Sequence, residues 1–243
     1  MFDALADRAP FDADRTDTLL VGTLVTLATA SAPVVGLLVL GYAVRTTRRR
    51  ARGEGLPAFD DWRALAGDGV RAAAATSVLH LPAAAVVAVV GLDRMLRGAS
   101  SLAYLSHYAL SPDYGAVAAI AAVALLELVA GYLSVATLVG LARTGAVDAR
   151  LPSVVAELVR DPRFGRAFGL TLAVGGGARL ARLALATLPV VGEPLGAFVS
   201  FVGVVVASSA LASVVDGGDD RLASAAETPG RDGVDADGYR SNA

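Results

Sequence analysis

The stretch "AVAAIAAVALLELVAGYLSVATLVGLA", Ala116 to Ala142, carries a single charged side chain, Glu127. A helix that crosses a bilayer needs about 20 mainly apolar residues, and this run exceeds that. It is continuous and lacks period-two alternation, so it reads as helix rather than strand. Four other runs have the same character: Thr18–Val44 with Pro33 inside, Val70–Leu92 with Pro82 inside, Ala167–Val191 with Arg179 and Arg182 inside, and Leu195–Val215. The expected fold is all-α. It is a polytopic membrane helix bundle of about five transmembrane helices, with a short cytoplasmic interfacial helix. The expected layout is an acidic N-terminal segment over 1–17, a transmembrane domain over 18–215 and an acidic disordered tail over 216–243.

Composition agrees. The chain has 243 residues, 55% of them hydrophobic and 18% charged, against roughly a quarter charged in soluble domains. Mean hydropathy is +0.58. Cysteine is absent, which excludes disulfides, thiolate metal sites and a cysteine nucleophile. With only His80 and His107, a histidine metal site is not expected, and neither is a cofactor. All 21 basic residues are arginine, and 18 of the 23 acids are aspartate, a balance that points to a GC-rich, salt-loving host.

The segment before the first run is acidic, with Asp3, Asp7, Asp12, Asp14 and Asp17 against Arg8 and Arg15. A secretory leader would be positive there. Arginines set orientation. The first and third loops hold twelve, the second only Arg94 and Arg97. The first and third loops are therefore expected in the cytoplasm of a cell-membrane protein, with the N-terminus outside and the C-terminus inside. If Pro33 divides the first run into a re-entrant pair, the N-terminus moves inside and every later loop keeps its side.

"RGEGLPAFDDWRALAGDGVRA", Arg52 to Ala72, differs from its apolar surroundings. Pro57 biases Leu56 toward extended backbone. Asp60 or Asp61 can cap a helix. Trp62 and Leu65 share a face, and Gly67 and Gly69 allow a bend before the second run. A short surface helix anchored by Trp62 at headgroup depth is expected. Asp60-Asp61 as catalytic carboxylates is the weaker reading.

"GYAVR" at Gly41–Arg45, "RGEGLPAFDDW" and "GDGVRAA" resemble a haloarchaeal membrane family of unknown function, DUF4013. The motifs cover about residues 41–72, and the Asp-rich entry at Phe11–Asp17 is also similar. Beyond Pro82 the agreement is in hydropathy. The aromatic usual near the proline of the second span is replaced by Leu79 and His80. The resemblance implies a multi-pass membrane protein and no particular activity. A spacing repeat accompanies it: Phe11-Asp12, Gly22, Pro33 and Arg45 recur as Phe59-Asp60, Gly69, Pro82 and Arg94.

His80, Glu127, Arg179 and Arg182 fall near the centres of their spans. A lone charge there costs about 2.5–3.5 kcal/mol on insertion scales, so the four are expected to face the bundle and find partners. Either Glu127 forms a structural pair with an arginine, or the surplus positive charge makes an anion or proton site. For His80 a hydrogen-bonded core role outweighs a pH switch. "GGGAR" at Gly175 lacks the Lys-Ser/Thr of a nucleotide loop, and "SHY" at Ser106 has no acid at useful spacing. Arg48–Arg50 reads as a topology signal or lipid contact rather than a nucleic-acid patch. The expected partners are anionic lipid headgroups and other membrane proteins or further copies of the chain. The leading expectation is a non-enzymatic scaffold or accessory subunit, and the alternative is a small transporter or channel with a midplane polar site.

Overall fold

A computed structural model describes residues 16–96 and 114–216. The acidic N-terminal segment up to residue 15, the loop with the "SHY" run and the tail after Asp216 lie outside the described residues. Among the described residues there are seven α-helices and no strand: α1 Thr16–Ala28, α2 Gly36–Ala51, α3 Trp62–Leu96, α4 Tyr114–Thr144, α5 Leu151–Arg160, α6 Pro162–Leu185 and α7 Gly192–Asp216. Four of them, α3, α4, α6 and α7, are long and apolar enough to cross a membrane. The architecture is consistent with a membrane helix bundle. The outward faces of these helices are apolar, as lipid contact requires: Val78, Ile120, Leu125, Leu172 and Leu180 are all exposed.

The first apolar run is not one span. α1 ends at Ala28, a turn follows, and Pro33–Val35 forms one 3-10 turn before α2. Ala32 is extended, with φ −138° and ψ 90°, as a residue before proline prefers. α1 has 13 residues, a length of about 20 Å, short of the ~30 Å hydrocarbon core. Leu19 packs on the cluster that contains Tyr42, so the chain doubles back on itself. α1 and α2 form a helical hairpin, and Thr16 sits at the end of the bundle toward which α2 runs. The single helix expected over 18–44 is corrected to this pair of helices. Because the natural chain has no cysteine, single cysteines can report the arrangement. Thr16→Cys and Arg52→Cys should both react with an impermeant maleimide from the same side of sealed vesicles. Labelling from opposite sides would restore the single span.

The expected surface helix is also corrected. Trp62 opens a continuous helix of 35 residues that includes Gly67, Gly69 and Pro82. Gly69 does not bend the chain; it lets α3 press against α2. A Cβ at Gly69 would meet the Leu37 carbonyl, and one at Gly41 would meet the Leu65 carbonyl. The short amphipathic helix lies elsewhere, at α5 in the third loop. Leu151 and Leu158 are buried on its inner face.

α2 is the hub, packing on α3, α4 and α7. Near one end Tyr42 stacks on Phe59 at 4.6 Å and meets Phe201 of α7 at 5.2 Å. A second cluster joins Ala136 and Val139 of α4 to Phe164 and Phe168 of α6 and Leu211 of α7, with Leu158 of α5 beneath. α6 and α7 are joined by a tight turn in which Val190 has φ 69°. That backbone disfavours a β-branched residue. Val190 is fully outside the packing, so Val190→Gly should raise stability by about 1 kcal/mol, seen as a higher melting temperature in detergent. An unchanged or lower value would count against the strained turn.

Candidate functional site

Two groups of described polar side chains stand out. The first lies in the middle of the α3–α4 contact. His80 Nδ1 lies 2.8 Å from Glu127 Oε2, and His80 Nε2 lies 3.1 Å from Ser134 Oγ. A carboxylate can only accept, so Nδ1 carries the proton and a neutral ring accepts the Ser134 hydroxyl at Nε2. Glu127 is thirteen residues into α4, about 20 Å along the helix. The pair is not enclosed: the side chains of His80 and Glu127 are 39% and 46% exposed. One turn beyond Glu127, an apolar crevice of about 370 Å³ runs between the helices, lined by Val86, Val87, Val90, Ala119, Ile120, Val123 and Ala124.

Hydroxyl, imidazole and carboxylate in series is also the connectivity of a nucleophile, its base and the group that orients the base. Acyl transfer needs more than this, namely donors for the developing oxyanion. Ser134 sits inside the continuous α4, where neighbouring N–H groups are spent on the helix ladder. The arrangement suits proton exchange or helix pairing better than acyl transfer.

The arginines of the expected cluster are elsewhere. α6 ends at Leu185, so Arg182 is one turn from its end rather than at mid-span. Arg182 Nη2 lies 3.3 Å from Glu193 Oε2, at the start of α7. Arg179 is exposed on α6. α4 packs mainly on α3, while α6 packs mainly on α7, which keeps Glu127 apart from both arginines. The joint cluster of His80, Glu127, Arg179 and Arg182 is therefore divided into a hydrogen-bonded His80–Glu127–Ser134 group and an Arg182–Glu193 pair at the α6–α7 end, with Arg179 in neither. Ser134 and Glu193 were not singled out from the sequence. The spacing Glu127–Ser134, two turns on one face of α4, was the available signal for the first.

The second lies at the arginine-rich end of the bundle. Asp61 Oδ1 accepts the Ala64 N–H at 3.0 Å, closing the start of α3, and Asp60 Oδ1 accepts the Asp61 N–H at 2.9 Å. These carboxylates cap backbone, and Trp62 is 43% exposed beside Phe59. Arg45 Nε donates to Asp68 Oδ2 at 3.1 Å, and Asp68 also receives Arg71 at 3.0 Å. Arg48 donates to the Leu141 and Ala142 carbonyls at the end of α4, and Arg143 donates to the Val214 carbonyl at the end of α7. Positive groups are stabilising at helix C-termini, where the last carbonyls lack partners. α2 ends in a Schellman turn: Glu54 N–H donates to Arg49 O at 2.9 Å and Gly53 N–H to Arg50 O at 3.1 Å. Gly53 has φ 72°, which glycine adopts without penalty. The turn brings Glu54 Oε2 to 2.9 Å from Arg49 Nε.

Among the described residues no group of three or more His, Cys, Asp or Glu side chains could hold a metal ion. No curated protein and no solved structure matches the chain. A family match does exist, and it runs over residues 24–187. It takes in the α1–α2 hairpin from Leu24, the arginine-rich end, and all of α3 to α6, including His80, Glu127 and Ser134. It starts after the Phe11–Asp17 entry and stops before α7. On that match, which covers well over half of its length, the chain belongs to the family described as "Protein of unknown function (DUF4013)".

Proposed function

We propose that this chain is a multi-pass protein of the cell membrane that works by association within the bilayer, as a non-enzymatic scaffold or accessory subunit. The observation that carries this is the outward-facing His80–Glu127 pair beside the α3–α4 crevice. In hydrocarbon an ionisable group at mid-helix is costly and normally faces protein. A partner helix laid on this face would cover the pair and fill the crevice. The excess of arginine near the ends of α2 and α4 supports a cytoplasmic reading for that end of the bundle, and the α1–α2 hairpin favours the reading in which the chain enters α1 from the same side.

Photo-crosslinking side chains at Val87 and Leu128, both exposed on this face, test the reading in native membranes. Adducts with protein at these positions, and lipid adducts alone at Leu183 on α6, are the expected result. Lipid adducts alone at all three positions would remove the basis for association. The His80–Glu127–Ser134 relay favours a second reading, a small proton-coupled transporter. Proton flux in liposomes of the purified chain that is lost in Glu127→Gln would support transport over association.

A further inference from the structure

Arg45, Arg48, Arg49 and Arg52 stand at spacings of three, one and three along the last turns of α2 and its C-cap, so they share one helix face. After the Schellman turn the chain folds back across this face. Between the two lies a pocket of about 350 Å³, lined by the four arginines and bordered by Glu54 and Asp60. Its size is that of a small-molecule site, roughly 300–1,000 Å³. Asp68 and Asp61 lie beside Arg45, and Arg49 and Arg52 share the single carboxylate of Glu54. Arg48 is held by carbonyls alone, so the positive surplus rests on Arg48, Arg49 and Arg52.

The guanidiniums are held in advance. Nε of Arg45 is fixed by Asp68, Nε of Arg48 by the Ala142 carbonyl and Nε of Arg49 by Glu54. Arg48 Nη2 also donates to the Leu141 carbonyl at 3.3 Å and Arg45 Nη2 lies 4.0 Å from Asp61 Oδ2, so the pocket is served by the remaining terminal nitrogens, chiefly those of Arg49 and Arg52. Arg52 is 66% exposed and 4.0 Å from Glu54, so it can swing onto a ligand at little cost. An array of pre-oriented planar forks suits an anion with several acceptor oxygens on one centre, which a phosphate group provides and a chloride ion does not. We propose that this pocket binds a phosphate group, borne either by an anionic phospholipid headgroup or by a soluble phosphate. The site is independent of the α3–α4 face, so it stands or falls apart from the association reading.

The test uses the full chain in neutral detergent, with melting followed by the fluorescence of Trp62. The probes are phosphatidylglycerol against phosphatidylcholine at equal mole fraction, and inorganic phosphate against chloride at equal ionic strength. At least one phosphate probe should raise the melting temperature above its control. Stabilisation by phosphatidylglycerol alone assigns the headgroup, and stabilisation by inorganic phosphate assigns the soluble anion. Arg52→Gln, which disturbs no anchoring bond, should weaken the effective affinity about tenfold, and Arg49→Gln with Arg52→Gln about a hundredfold. Arg63→Gln, exposed on α3 outside the pocket, should leave it unchanged. The proposal is overturned if both probes match their controls, if the double variant binds like the parent, or if Arg63→Gln weakens binding as much as Arg52→Gln.

Discussion

Gly69→Ala and Gly41→Ala should each remove most of the folded protein, whereas Gly67→Ala should fold at least as well as the parent. All three add one methyl group to the helices that meet at the α2–α3 contact. At Gly69 and Gly41 that methyl group would run into the Leu37 and Leu65 carbonyls, and at Gly67 it meets nothing within 4 Å. A carbonyl cannot rotate aside as a side chain can, so the helices must separate. Overpacking typically costs 1–3 kcal/mol when side chains can adjust, and a rigid backbone obstacle should bring the loss to about 3 kcal/mol or more. Separation also loosens the Arg45–Asp68 bond and the cluster of Tyr42, Leu65 and Phe201. Gly67→Ala gains up to about 1 kcal/mol of helix propensity. The monodisperse fraction in detergent and the melting temperature measure all three. A Gly69→Ala protein that melts with the parent would mean that α2 and α3 do not approach as described.

The same contact shows what was legible in the sequence. Apolar run length gave the helical class and the cores of α3, α4, α6 and α7, because lipid-facing helices announce themselves by composition alone. It did not tell one span from a hairpin. Pro33 and Pro82 stand at matching places in the spacing repeat, yet the first opens the 3-10 turn that precedes α2 while α3 passes through the second. The difference lies in tertiary surroundings: α1 returns against α7, with Gly22 seated under the Phe201 ring, and no local pattern encodes that. Gly67 and Gly69 read as a bend because glycine is permissive. In the structure Gly69 serves close approach instead, a use visible only once Gly41 is known to oppose it.

Charge pairing was least legible, since a sequence supplies depth but not which helices touch. Placing the four ionisable residues at one depth made Glu127 the natural partner of an arginine. The order of helix packing decides otherwise. α4 leans on α3, so histidine reaches the carboxylate first, and the shorter α6 moves Arg182 to the rim beside Glu193. The arginines at the other end had a clear signal for topology. Their use as donors to the ends of α4 and α7 was not predictable, because those carbonyls come from helices distant in sequence.

In bilayer discs, His80→Leu and Glu127→Leu should each destabilise the protein strongly, and the double variant should recover most of the loss. Breaking a buried pair by removing one partner typically costs about 3–5 kcal/mol, whereas replacing both members with apolar groups is often neutral. On the proposed reading, hydrocarbon or a covering partner stands where these side chains are exposed in the isolated chain, so water does not screen the pair. The two single variants should differ. His80→Leu leaves a carboxylate at mid-helix without a donor. Glu127→Leu leaves an imidazole that still accepts the Ser134 hydroxyl. His80→Leu should therefore be the worse. Coupling free energies from the double-mutant cycle should reach about 1–3 kcal/mol for His80 with Glu127. Glu127 with Arg179 or with Arg182 should show almost none, because no described contact joins them. Arg182 should instead couple weakly to Glu193, as exposed pairs do, by about 0.2–1 kcal/mol. Additive costs for His80 and Glu127, or a rescue of Glu127→Leu by Arg182→Leu, would return the carboxylate to the arginines. The α3–α4 face would then lose the polar pair on which association rests.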